Sequence, residues 1–461
     1  MQTIVCEHLH QPGGWLSPGT LHVDGDGMIT RVERGASGQV TVRLDGWVIP
    51  GMANVHSHAF QRALVGLTER ADPARADSFW TWRVEMYRLA LAIEPEDISA
   101  IAAQLYVEML EAGMTAVGEF HYLHHDRDGS PYPDRAETSH RIVAAARKAG
   151  IGLTLLPVLY MKGGFDSEPM AEQRRFIHGT VGEFVATLET LAVPEQPSRL
   201  VRLGFAAHSL RAVVGDALRE VVSEIRARDS RAPIHIHIAE QKNEVDQAVP
   251  VLGDRPVRWL VGQFGDELDE RWCLVHSTHV DPGEVALLAS SGVVVGLCPT
   301  TEANLGDGVF PAVDFVARGG KLAIGSDSHV TVSAIDELRT LEYGQRLVKE
   351  QRNLLTGNDE HHVGRFLFDR AARSGADALD QPIGALVPGR RADLVALDAD
   401  HPRLVGHGPD TVLDAWIFGT AHGAVRDVFV AGQQRVNNGA HLGRQETAAQ
   451  FARSIKRLRG L

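Results

Sequence analysis

The chain has 461 residues, is 44% hydrophobic and 23% charged, and carries a formal net charge of -13. That is the composition of a soluble globular protein, long enough for one large domain and a small module. The negative field argues against nucleic acid and anionic membrane as partners, and no apolar run reaches the roughly 18 residues of a membrane span.

The start, Met1-Gln2-Thr3-Ile4-Val5-Cys6-Glu7-His8, shows no basic region followed by an apolar core, so no signal peptide is expected. Cys6, Cys273 and Cys298 are odd in number and widely spaced, which fits a reducing cytoplasm without a disulfide framework. Residues 1 to 50 read as short strands punctuated by Ser17-Pro18-Gly19, Asp24-Gly25-Asp26-Gly27 and Ser37-Gly38.

From Pro50 the pattern becomes strand then helix, repeated. Eight apolar strands are predicted at 48-56, 115-122, 152-160, 201-208, 233-239, 273-278, 292-298 and 321-326. The clearest helix spans 95-112, with Pro95 at its start, Glu96 and Asp97 in the first turn and Gly113 at its stop. Eight such units predict an α/β fold, a (β/α)8 TIM-like barrel over residues 51-375. A doubly wound sheet is the alternative, but no glycine-rich phosphate loop follows an early strand. After 375 the pattern is β-like again. Pro388-Gly389 leads into a strand through Leu397, and Val425-Val430 with Gln433-Val436 forms a hairpin at Gly432. Segments 1-50 and 376-440 are predicted to form one small discontinuous β-sandwich domain, followed by a C-terminal helix over 441-461.

Strand ends carry the chemistry. His56 and His58 stand at i and i+2 and so face the same way at the end of the first barrel strand, a spacing that suits a divalent metal such as zinc. Ile234-His235-Ile236-His237-Ile238-Ala239-Glu240 supplies two histidines and a glutamate. His276 ends the next strand, and Asp327 follows Gly325-Ser326 after the eighth. Each alone is a satisfied core histidine or a helix cap. Together they occupy four strand ends, and active sites of such barrels sit at those ends.

Pro50-Gly51-Met52-Ala53-Asn54-Val55-His56-Ser57-His58, the two strands just quoted, Gly325-Ser326-Asp327-Ser328 and Pro388-Gly389-Arg390-Arg391-Ala392-Asp393 resemble, as a set, the amidohydrolase superfamily in its cytosine and guanine deaminase branch. The resemblance covers nearly the whole chain. It implies one metal ion held by His56, His58, His237 and Asp327, His237 being preferred to His235 because it stands three residues before Glu240. Binuclear members carry a lysine at the end of strand four, and 202-208 has none. The residue types then suit hydrolysis of a C=N bond with loss of ammonia. Zinc acidifies water, Asp327 accepts a proton, Glu240 delivers one to the leaving nitrogen, and His276 supports the reacting centre.

Three further stretches follow strands one, two and four: His58-Ala59-Phe60-Gln61-Arg62, Glu119-Phe120-His121-Tyr122-Leu123-His124-His125 and Ala207-His208-Ser209-Leu210-Arg211. Within the superfamily they look most like the formimidoylglutamate deiminases of histidine degradation. That resemblance implies a small dicarboxylate substrate, a cytoplasmic enzyme and a homodimer. It implies Arg211 as first carboxylate anchor, with Gln61, Tyr122 and His208 completing the pocket. Arg83 reads either as a second anchor or as a surface arginine, and Trp80 and Trp82 read as packing. A deaminase of a nucleobase or other ring amine, and a non-enzymic scaffold on the same fold, are the alternative readings.

Overall fold

The computed structural model describes residues 1–36, 38–71, 77–191, 200–213 and 215–461, so Ser37 of the third expected turn lies outside the described residues. Eight parallel strands follow one another in space as in sequence. They are Met52–Ser57 (β1), Met114–His121 (β2), Gly152–Leu159 (β3), Phe205–Ser209 (β4), Ile234–Ile238 (β5), Trp272–His276 (β6), Val294–Leu297 (β7) and Lys321–Ile324 (β8). Helices cover the outer face, so strands such as β2, β3 and β5 are buried along their whole length. This is why they read as unbroken apolar runs and not as alternating ones.

The barrel closes between β1 and the end of β8. Asp327 N–H donates to His56 O at 2.9 Å, and His58 N–H donates to Asp327 O at 3.2 Å. A Cβ on Gly325 would stand 2.7 Å from His56 Cβ, so only glycine lets the two strands meet there. The seam of the barrel therefore puts the His56-Ser57-His58 stretch beside Asp327.

Two expected strands are divided. Residues 48-56 are not one strand. Val42–Pro50 belongs to the terminal sheet, and β1 begins at Met52 after the turn at Gly51. Residues 201-208 break at Gly204, where a side chain would strike Pro233 O at 2.7 Å. Val201–Leu203 stays paired with β3.

The chain ends meet as expected, but they hydrogen-bond into one continuous nine-stranded sheet. Val42–Pro50 is its link, parallel to Gln2–Gln11 and antiparallel to Leu394–Leu397. Alternation decides which way each residue faces. Leu44 and Val48 join the sheet's own apolar cluster, whereas Trp47 and Ile49 join the barrel core. Phe79–Ala92 (α1) starts with Ser78 in a capping box. Pro95–Glu111 (α2) starts at Pro95 and stops before Gly113, whose φ of 84° needs glycine. The last helix, Arg444–Leu458, packs Phe451, Ile455 and Leu458 on the barrel.

Candidate metal centre and substrate cavity

His56, His58 and His237 converge at the barrel mouth. His56 Nε2 lies 3.2 Å from His58 Nε2 and 2.9 Å from His237 Nε2. Asp327 Oδ1 is 3.6 Å from His56 Nε2 and 3.3 Å from His58 Nε2. Four donors about 2.05 Å from a tetrahedral zinc stand ~3.3 Å apart, and these four separations lie near that value.

The tautomers fit as well. His58 Nδ1 donates to Phe120 O and His237 Nδ1 to His208 O, each at 2.9 Å, so both present an Nε2 lone pair to the centre. Burial keeps all three imidazoles neutral, with His58 lowered to about 3. Lone pairs that face one another at this distance call for a cation between them. His235, by contrast, points away and bonds Ala378 O at 2.9 Å. Among the described residues of β4 there is no lysine to hold a second ion.

The groups that can move protons ring these donors. Glu240 is fixed by its backbone, since Glu244 accepts from the N–H of Ala239 at 3.2 Å and of Glu240 at 3.1 Å. His276 Nε2 lies 3.8 Å from Asp327 Oδ2, and its Nδ1 lies 3.2 Å from Glu302 Oε1. Burial works against charge on His276, but Glu240, Glu302 and Asp327 outweigh it and push the imidazole up to about 10. Burial, with help from Glu240 and Glu302, lifts Asp327 to about 7, and a cation among the donors would pull it back down.

His276, Ser277 and Asp327 hold positive φ of 68°, 50° and 47°. Such residues cost on the order of 1–3 kcal/mol each and persist only where neighbours fix them. Here Ser277 N–H is bound to Ile238 O at 3.0 Å and Asp327 N–H to His56 O.

The cavity beyond this centre is lined by His58, Gln61, Tyr122, His208, Arg211 and Arg83 together with His237, Glu240, His276 and Asp327. Every candidate site residue of the sequence except the fully buried His56 thus faces one space. Gln61 Nε2 donates to Tyr122 Oη at 2.8 Å, leaving Gln61 Oε1 buried without a partner.

The two arginines hold unspent donors. Arg211 is 8% exposed, its Nε has no partner, and Nη2 is 3.8 Å from Glu240. The Arg83 guanidinium lies over Trp80 at 4.6 Å and Tyr87 at 5.4 Å, with no carboxylate within 4.0 Å among the described residues. Trp82 packs on the barrel core as expected, whereas plain packing does not describe Trp80. Trp80 also faces Arg211 at 5.9 Å, and Trp82 lines the cavity. Arg83 reaches the cavity because α1, which carries it, crosses the mouth.

Sequence reasoning missed Glu302, Tyr87, Tyr160 and Gln173. Glu302 had a signal, as it follows strand seven within Cys298-Pro299-Thr300-Thr301-Glu302, a strand end of the same kind as the others. The other three had none, because only the tertiary fold brings helix, strand and loop together there.

Comparison with known proteins agrees with this geometry. The sequence model of the amidohydrolase family matches residues 47–435. A formimidoylglutamate deiminase from Pseudomonas aeruginosa is 49% identical over 459 residues, covering 99% of this chain and 100% of that protein. A 5-methylthioadenosine/S-adenosylhomocysteine deaminase from Natronomonas pharaonis is 30% identical, covering 82% of this chain and 79% of that protein. The crystal structure of an amidohydrolase from Brucella melitensis superposes with a TM-score of 0.91 at 44% identity, covering 99% of this chain and all of that one.

Proposed function

The chain belongs to the amidohydrolase family, a metal-dependent hydrolase family, and on that premise we propose that it converts N-formimino-L-glutamate and water to N-formyl-L-glutamate and ammonia. The observation that carries the reading is the pair Arg83 and Arg211. Two guanidinium groups with free donors face a cavity whose other end is a set of metal donors. Guanidinium forks match carboxylates, and the substrate offers two.

In this reading His56, His58, His237 and Asp327 hold one zinc ion. The ion supplies acidified water at neutral pH. Asp327 takes the proton that the attacking water gives up. Glu240 carries a proton to the nitrogen that leaves as ammonia, so the C=N bond becomes C=O with atoms balanced. His276, oriented by Glu302, donates a hydrogen bond to the oxygen that gains charge. Arg211 and Arg83 bind the carboxylates, and Gln61, Tyr122 and His208 complete the pocket. Identification of both products by NMR after incubation with metal-loaded protein tests the reading. Recovery of unchanged N-formimino-L-glutamate would remove it.

The cavity's aromatic lining, Phe79, Trp82, Tyr122 and Phe176, favours a second reading, a deaminase of a ring amine on the same metal site. The partnerless Nε of Arg211 and the guanidinium of Arg83, which has no carboxylate within 4.0 Å among the described residues, weigh against it, since a neutral ring gives them nothing to bind. We also propose a cytoplasmic homodimer. Three buried free cysteines support a reducing compartment. The exposed Leu347 and Val348 at the end of helix Ala334–Lys349 support a contact between copies, which sedimentation would test.

A further inference from the structure

The wall beside Arg83 and Arg211 contains two phenols with no part in the chemistry above. Tyr87 comes from α1, Tyr160 from just past β3, and both line the cavity. Behind them Gln173 is fully buried. Its Oε1 accepts from Met170 N–H at 2.8 Å, which fixes the amide's orientation. Its Nε2 therefore faces the phenols and donates to Tyr160 Oη at 2.7 Å and Tyr87 Oη at 3.1 Å.

Each phenol oxygen thus spends acceptor capacity on the amide, and each keeps its own O–H to give. The two hydroxyls also interact with one another, which occupies at most one of the two protons. The other has no acceptor among the described residues. Burial holds both phenols protonated, with their pKa raised, so they remain donors at neutral pH. Donors held beside two guanidinium groups, one of them with a partnerless Nε, suit an anion, not a neutral ring.

We propose that Tyr87 and Tyr160 form a specificity pair that donates to a substrate carboxylate beside Arg83 and Arg211, and that Gln173 is the positioning residue that turns their hydroxyls toward the cavity. The inference rests on the proposed dicarboxylate substrate.

The test is steady-state kinetics of Tyr87→Phe/Tyr160→Phe with N-formimino-L-glutamate and with its neutral bis-amide. A lost hydrogen bond to a charged group corresponds to a rise of about 10- to 100-fold in KM for the dicarboxylate. We expect that rise with kcat changed less than about threefold, and a much smaller KM change for the bis-amide. Gln173→Met should raise KM in the parent but add less than about twofold in the double-phenylalanine background, because its effect runs through the hydroxyls. A merely structural glutamine would give the same factor in both backgrounds, and melting temperatures identify a variant that fails to fold. If the parent hydrolyses N-formimino-L-glutamate and the double variant keeps its KM, the pair has no such role and the function stands. If the parent does not hydrolyse it, function and inference fall together.

Discussion

The two ends of the cavity are built by different rules. The metal end is made of strand termini, where a period of two residues and the barrel seam place His58, His237 and Asp327 each within 3.6 Å of His56. The cationic end is made of pieces distant in sequence: Arg83 and Tyr87 on α1, Tyr160 past β3, Gln173 in the 3-10 turn Ala171–Gln173 and Arg211 past β4. The first end is fixed by backbone hydrogen bonds across the barrel seam. The second has no backbone periodicity behind it and, in the proposed function, selects the substrate.

Substitutions should therefore separate the ends. The largest effect belongs to the metal end. His56→Ala/His58→Ala should lose bound metal and at least about 1000-fold in turnover, on every substrate alike. Metal analysis checks it, and full metal retention would break the assignment. Next is Glu240→Gln, which should keep its metal and fall by about 100- to 10,000-fold in kcat, because an amide cannot carry the proton. A near-normal kcat at neutral pH would take Glu240 out of the reaction.

At the other end the effect should be smaller and should depend on substrate charge. Arg211→Met removes a charge-assisted contact worth roughly 2–4 kcal/mol, or about 30- to 1000-fold in kcat/KM on N-formimino-L-glutamate. It should cost far less on a neutral formimino compound. Equal losses on both would place Arg211 with the general machinery and erase the division.

A histidine cluster outside both ends supplies the smallest effect. His178 is buried, both ring nitrogens lack partners, and burial lowers its pKa to about 3. Below about pH 6.5 the unfolded chain binds a proton there that the native state refuses. Its stabilising contribution is thus present above pH 6.5 and is lost as pH falls toward 3. His178→Leu should lose about 2 kcal/mol less stability than the parent between pH 7 and pH 5 in urea unfolding. Equal losses would assign the acid sensitivity to other buried histidines.

The same division explains what could be read without coordinates. The existence of eight barrel strands, two of them with shifted bounds, and the residues that converge at their ends were legible, because burial on both faces writes apolar runs. The join of Val42–Pro50 to β1 was not, since both strands are apolar and only the turn at Gly51 separates them. The single nine-stranded sheet was hidden because pairing between residues 42–50 and 394–397 spans some 350 positions. Trp80 looked like packing, although its i,i+3 spacing to Arg83 on one helix was a local sign of their contact. Tyr160 and Gln173 were silent, because only the fold brings them beside α1.

The most direct measurement is ammonia release by the metal-loaded protein from N-formimino-L-glutamate, its neutral bis-amide and an adenine nucleoside, compared as kcat/KM. The account expects the dicarboxylate to exceed the bis-amide by at least about 1000-fold, as two charge-assisted anchors require, and the nucleoside to release nothing. Deamination of the nucleoside with no turnover of N-formimino-L-glutamate would contradict it.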